Sequence, residues 1–216
     1  MPWQILFVRA LFWRLTIGGE VFSMENSNHK QVLTTRLVEM SILAGCSYVL
    51  MFLSVPIIPI VPYMKLDLSD MPILIGTVIF GPVGGMTIAG LKALLYWVTT
   101  GASIFGFIGV GSSLISSLVL IWSYYLGERA FSFTSGLKKT TLVILTMAIS
   151  LMIVMSTINW LGVIPLYMNL MNMKLGFPLS TVILFGAVPF NLIKGVVVGG
   201  VFYAIKGSFL PRLKLR

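Results

Sequence analysis

Long apolar stretches recur along the whole length of this chain of 216 residues. Only 10% of its residues are charged, and its mean hydropathy is +1.00, whereas soluble domains carry roughly 25% charged residues. A helix needs about 20 apolar residues to cross a bilayer. The repeated stretches therefore predict one integral membrane domain without a soluble module.

We expect an all-α membrane bundle of six transmembrane helices. The sequence "GPVGG" at 81–85 cannot easily continue a helix, so 71–98 is predicted to form a helical hairpin. Its first arm is about 16 Å long, against a hydrocarbon thickness of about 30 Å, and cannot cross alone. The loop before this short second helix is expected to dip in from the outer side, next to a pocket. The predicted spans are 38–59, 71–81, 86–98, 104–126, 141–164 and 182–205.

The basic residues indicate the orientation of the chain. Most of them fall in segments on the same side as the N-terminus, which predicts that both termini are cytoplasmic. Topology thus explains the net charge of +9 without nucleic-acid binding. Lys65 and the loop Pro165–Pro178, with Lys174, would face outward, while Lys92 and Lys194 fall within spans.

Residues 1–23 are expected to be a leader, and 24–216 a single six-helix membrane domain. Arg9 and Arg14 interrupt the leader's apolar runs, which are too short to span, and no signal-peptide cleavage site follows. Two explanations stay open. The leader is an amphipathic helix at the membrane interface, or it lies upstream of a natural start at Met24.

Two asparagines and a lysine stand inside the last two predicted spans: Asn159, Asn191 and Lys194. A lysine at the centre of a membrane helix costs about 2.5 to 3.5 kcal/mol even on lenient scales. Asn191 and Lys194 are three residues apart and share one helix face. Such a set persists in lipid only beside a cavity or another polar group. It predicts a binding site, with helix–helix hydrogen bonding as the alternative.

The segment "KLDLSDMP" is the densest polar cluster on the predicted outer side. Ser69 or Asp70 is expected to cap the next helix, and Asp67 to pair with a neighbouring lysine or a loop amide. Direct contact with a ligand is the alternative for both aspartates. Lys92 is expected to have a structural partner such as a loop carboxylate, with a ligand or coupling role as its alternative.

The first span carries a face of small residues that permits another helix to approach closely. Spacing alone leaves open whether that helix is internal or belongs to another protein. The small residues are Ser41, Ala44, Gly45 and Ser47.

Several chemical signatures are absent from the sequence. It has no Walker A pattern, no HExxH and no cluster of Cys and His, and it holds one cysteine and one histidine. We therefore expect neither an enzyme nor a metal site. We also expect that the chain has no cofactor of its own and does not bind ATP itself.

Four motifs together resemble a known family: "KLDLSDMPILIGTVIFGPVGG", the "LK" of the third span, "INWLGVIPLY" and "VPFNLIKG". Over about Thr35 to Lys206, the chain is similar to the S component of energy-coupling factor (ECF) vitamin transporters, most of all to the riboflavin-specific, RibU-type branch. The resemblance implies a subunit of a bacterial plasma-membrane transporter that captures a vitamin from outside. Its implied partners are a transmembrane coupling subunit and two cytoplasmic ATPases that hydrolyse ATP.

The resemblance also implies roles for particular residues. Asn159, Asn191 and Lys194 match positions that face the flavin, whose carbonyls and ring nitrogens can accept their N–H groups. Ser41, Ala44 and Gly45 map to the docking face for the coupling subunit. Asp67 is added as a ligand-contact candidate, and the candidates that would sandwich the flavin are Tyr63, Phe107, Trp160 and Leu161.

Two rival hypotheses remain at this stage. The same architecture could take another vitamin, such as pantothenate, pyridoxine or thiamine. Alternatively, the chain could be a self-sufficient secondary carrier, with Lys92 and Lys194 as relay groups.

Overall fold

A computed structural model describes residues 33–171 and 176–209. The predicted leader and Lys174 lie outside these residues. The described part is mostly helical, and five of its helical stretches are long and apolar enough to cross a membrane. Its elements are α1 (Leu33–Phe52), β1 (Val55–Pro56), β2 (Lys65–Leu66), α2 (Asp70–Thr99), α3 (Ile104–Ala130), α4 (Gly136–Ile158), α5 (Ile164–Met171), α6 (Leu179–Val182) and α7 (Val188–Phe209).

The first helix ends at Phe52, earlier than the predicted Pro59. A residue that precedes proline favours extended backbone, so the prolines at 56 and 59 end the helix. The chain instead forms a short antiparallel ladder in which Val55 lies opposite Leu66. The all-α prediction therefore missed two very short strands, which pair backbone groups in the loop 53–69.

Helix α2 folds back on itself at Gly81. This glycine has φ 79° and ψ 178°, a backbone that residues with a Cβ rarely adopt, and Pro82 follows it. Lys92 Nζ lies 3.6 Å from Asp70 Oδ1, whereas a straight helix would separate the two residues by about 33 Å. The two arms of α2 therefore lie side by side, as the glycine-rich break predicted.

The fifth predicted span continues beyond Ile164, so placing Pro165 at the start of a loop was wrong. A π-helical turn at Asn159–Val163 joins α4 to α5, and the Ile164 N–H bonds to the Asn159 carbonyl. This wider turn ends two residues before Pro165, which has no N–H to donate, and the helix then continues. A second π-helical turn at Ile183–Ala187 joins α6 to α7 and precedes Pro189 in the same way.

Helices α3, α4 and α7 share a fully buried core that includes Leu120, Met147 and Phe202. A Cβ on Gly195 would lie 2.4 Å from Ala148 Cα, so only glycine permits this approach of α7 to α4. Small residues at helix contacts are the usual means of close packing in membrane proteins. This contact holds the face of α7 that carries Asn191 and Lys194 close to α4.

Candidate functional site

A cavity of about 350 Å³ lies at one end of the helices. Small-molecule sites typically have about 300 to 1,000 Å³. Its walls come from the loop 53–69, the ends of α1 and α2, the beginnings of α3 and α7, the end of α4 with its π-helical turn, and α5. The polar side chains on its wall are Ser54, Tyr63, Lys65, Asp67, Tyr96, Ser112, Ser113, Ser116, Asn159, Tyr167, Asn191 and Lys194. The apolar ones are Met51, Met64, Val110, Met155, Val163 and Phe190.

Lys194 lies on the cavity wall and is only 5% exposed. Its Nζ is 3.2 Å from Asp70 Oδ2. An ammonium ion buried without a counterion would cost several kcal/mol, and this carboxylate offsets that cost. The pairing explains how a cation persists in an apolar helix, and it leaves other N–H groups of the ammonium available to a ligand.

Asp70 joins two buried lysines through its two oxygens. While Oδ2 faces Lys194, Oδ1 accepts a hydrogen bond of 2.5 Å from the Ser117 hydroxyl and lies 3.6 Å from Lys92 Nζ. Lys92 is fully buried and also donates to the hydroxyls of Ser69 and Ser117. The sequence predicted that Lys92 has a structural partner such as a loop carboxylate, and the partner found is Asp70, the first residue of α2. Neither Asp70 nor Lys92 is part of the cavity wall.

Asp67 pins the loop that precedes α2. Its Oδ1 accepts hydrogen bonds from the N–H group of Ser69, at 2.8 Å, and from the Ser69 hydroxyl. Ser69 occupies the N-cap position of α2, but its hydroxyl makes no capping bond, so the predicted capping role is wrong. The carbonyl of Ser69 accepts a hydrogen bond from Ser47 of α1. Asp67 therefore has the structural role in the loop, and its side chain also lines the cavity.

The asparagines of the site both stand beside π-helical turns. Asn159 begins the first turn and donates its amide to the Met155 carbonyl at 2.7 Å. Asn191 follows the second turn and donates to the Ala187 carbonyl at 2.8 Å. Each side-chain amide has a second N–H and a carbonyl oxygen, which suit a heterocycle with both acceptors and donors.

Tyr63 lines the cavity from the loop 53–69 and remains 38% exposed. Partial burial raises the pKa of its hydroxyl to about 12. Near neutral pH the hydroxyl is therefore protonated and can both donate and accept a hydrogen bond.

Three of the predicted flavin-sandwiching residues do not line the cavity. Phe107, Trp160 and Leu161 are 61%, 56% and 75% exposed, and the Phe107 ring packs edge-on against Trp97 of α2. Neighbouring residues of a helix are about 100° apart, so with Asn159 facing inward the next two residues turn away. The sequence analysis did not predict four further residues that line the cavity, because no motif sets them apart from other residues of their helices. These residues are Tyr96, Ser116, Tyr167 and Phe190.

The small residues of α1 divide between two faces. Ser41 is exposed, and a Cβ on Gly45 would meet no atom within 4 Å. Ala44 is instead buried against residues that include Ile73 and Ala89, so its predicted place on a docking face is wrong. One turn of helix separates Ser41 from Gly45, whereas Ala44 is rotated toward α2.

A second ion cluster joins the opposite ends of α3, α4 and α7. Glu128 contacts Lys206 Nζ at 2.5 Å and Lys139 Nζ at 2.6 Å, and it accepts a hydrogen bond from Tyr203. These charged side chains keep 22–27% of their surface exposed, so water reaches all of them.

The long apolar helices indicate a membrane protein, and its partly polar cavity has the volume of a small-molecule site. The family model for the ECF transporter substrate-specific component matches residues 35–206. This chain belongs to that family. Its members are components of transporters, so the chain is not an enzyme.

Relatives and a solved structure give the same family. The chain is 34% identical over 183 residues to the riboflavin transporter RibU of Staphylococcus aureus, covering 82% of this chain and 93% of that protein. It is 29% identical to the riboflavin transporter FmnP of Bacillus subtilis, covering 79% and 89%. A solved structure of the S component of a bacterial ECF transporter aligns with a TM-score of 0.69 and 29% identity, covering 84% of this chain and 99% of that one.

Proposed function

We propose that this chain is the riboflavin-binding subunit of an ECF transporter. The observation that carries the proposal is the cavity that brings Asn159, Asn191 and Lys194 together on one wall. These are the donors for which the family resemblance implies contact with a flavin. The names of the relatives, riboflavin transporters in both species, support the same ligand.

The chemistry of the wall suits an isoalloxazine ring. Amide N–H groups and the Lys194 ammonium can donate to the ring carbonyls and nitrogens, and an amide oxygen can accept from the ring N–H. Met155, Val163 and Phe190 supply apolar surface for the faces of the ring. In this proposal, Tyr63 and Asp67 contact the ligand from the loop.

The proposed subunit works in a bacterial plasma membrane. The two arms of α2 and the four other long apolar stretches give six spans, with the cavity toward the outside and both termini in the cytoplasm. The charge distribution supports this orientation, because Arg129, Lys138, Lys139 and Lys206 lie at the end opposite the cavity. A transmembrane coupling subunit and two ATPases complete the transporter, and the ATPases supply the nucleotide site that this sequence lacks.

The proposed docking face for the coupling subunit is the side of α1 that carries Ser41 and Gly45. Ile42 and Val49 make it apolar and exposed, and the space beside Gly45 admits a close helix. Gly45→Trp should leave riboflavin binding unchanged and stop uptake by cells that express the complete transporter. Normal uptake by this variant would show that the face is not used for docking.

Titration of the purified protein with riboflavin tests the proposed ligand. Bound flavin should give the protein a visible absorbance, and its fluorescence should be quenched stoichiometrically. Pantothenate, pyridoxine and thiamine should not displace it, which separates riboflavin from the other vitamins. Uptake by liposomes that contain this chain alone would instead support a self-sufficient carrier.

A further inference from the structure

The carboxylate of Asp70 has a different set of partners at each of its two oxygens. Oδ1 is held by the Ser117 hydroxyl and lies near Lys92, while Oδ2 has the Lys194 ammonium at 3.2 Å. Asp70 is 1% exposed and lies behind the cavity wall, so a ligand reaches Lys194 but not its counterion.

We propose that Asp70 and Lys92 are positioning residues that aim the Lys194 ammonium at the ligand in the cavity. This inference rests on the proposed function, because riboflavin is the ligand in question. Lysine has a flexible four-carbon stem and a compact charge, so its stem alone does not set the direction of its N–H groups. A fixed carboxylate behind the cavity wall contacts the Lys194 ammonium on one side. The other N–H groups of the ammonium are then directed toward the cavity.

Lys92 fixes the carboxylate in turn. Its ammonium donates to Ser117 at 3.2 Å, the same hydroxyl that donates to Asp70 Oδ1, and to Ser69 at 3.1 Å. The Asp70 carboxylate, at the start of the first arm of α2, is therefore held from the second arm of α2 and from α3. Only its other oxygen, Oδ2, faces α7.

The charges of this buried set balance, because two aspartates face two lysines. Asp67, Asp70, Lys92 and Lys194 are all at most 7% exposed. Removing Asp70 alone leaves two ammonium groups with one carboxylate. Removing Asp70 together with Lys194 restores the balance, and that pair of changes keeps the test interpretable even where the single variant folds poorly.

A double-mutant cycle tests whether Asp70 acts through Lys194. The variants are Asp70→Asn, Lys194→Met and the two combined, each titrated with riboflavin in detergent up to high flavin concentration. Asp70→Asn should lower the affinity at least about tenfold, as expected when a buried donor loses its acceptor. The combined variant should bind as tightly as Lys194→Met alone. A combined variant that binds about tenfold more weakly than Lys194→Met would overturn the inference.

The same comparison applies to Lys92. Lys92→Met should weaken riboflavin binding when Asp70 is present and cause no further loss of affinity in Asp70→Asn, a combination that again leaves one carboxylate with one ammonium group. A purely structural role would weaken binding in both backgrounds and would overturn the assignment. Glu128→Gln, which changes the other lysine-bridging carboxylate, is the matched control and should bind normally.

The measurements distinguish a failure of the proposed function from a failure of the positioning role. No riboflavin binding by the unmodified chain overturns the proposed function and this inference together. Binding by the unmodified chain, combined with additive effects of Asp70→Asn and Lys194→Met, overturns only the positioning role.

Discussion

One carboxylate lies between two lysines at each end of this molecule. Asp70 bridges Lys92 and Lys194 behind the cavity, and Glu128 bridges Lys139 and Lys206 at the opposite ends of the helices. The groups are alike, but the first cluster is almost completely buried and the second keeps about a quarter of its surface exposed.

The two clusters contain similar ion pairs, but their different burial gives these pairs different effects on stability. At an exposed cluster, water solvates each charge when its partner leaves, and such pairs contribute about 0 to 1 kcal/mol. In the buried cluster, loss of one partner strands a charge, which costs about 3 to 5 kcal/mol. The buried cluster can therefore hold the cavity-lining Lys194 in place, whereas the exposed one can only stabilise the ends of three helices.

The largest expected effect is on folding, at Asp70. Asp70→Asn should lower the free energy of unfolding by about 3 to 5 kcal/mol, because it leaves two buried lysines without an adequate counterion. Thermal unfolding in detergent, followed by loss of the monodisperse species, measures this change. A loss below about 1 kcal/mol would mean that the two clusters do not differ in the way their burial indicates.

The second effect is on ligand binding and compares one lysine from each cluster. Lys194→Met should weaken riboflavin binding by about 1 to 3 kcal/mol, because a ligand acceptor in the cavity loses its donor. Lys206→Met is the matched control and should bind normally, since Lys206 does not line the cavity. Equal losses of riboflavin affinity in both variants would show that binding does not depend specifically on the lysine that lines the cavity.

The smallest effect is expected at Glu128. Glu128→Gln should lower the free energy of unfolding by at most about 1 kcal/mol, since Lys139 and Lys206 remain hydrated without their partner. Raising the salt concentration toward 1 M should remove most of that difference, because ions screen exposed charges. The effect of Asp70→Asn should persist in the same salt. A salt-independent Glu128→Gln effect would contradict this distinction.

Much of the site could be predicted from local spacing. Asn191 and Lys194 are three residues apart on one helix, so their common face required no knowledge of the rest of the fold. The break at Gly81 was similarly visible, because glycine and proline interrupt helices through their own backbone chemistry. The leader and its junction at Met24 stay predictions.

The errors arose where neighbouring segments determine the outcome. Trp160 and Leu161 were expected beside the ligand, but the rotation of their helix turns them outward once Asn159 faces in. Pro165 was expected to end a helix that a π-helical turn instead carries to Met171. Ala44 was expected on an outer face, but it packs against both arms of α2.

The sequence by itself determined that this chain is a helical membrane protein with costly polar groups near the ends of its last two spans. These conclusions follow from hydropathy and from the energy of polar groups in lipid, which are local properties. Only the tertiary structure decided that Asp70 is the partner of both Lys92 and Lys194. Residues far apart in the chain carry these charges, and charge pairing depends on distances that only the folded helices set.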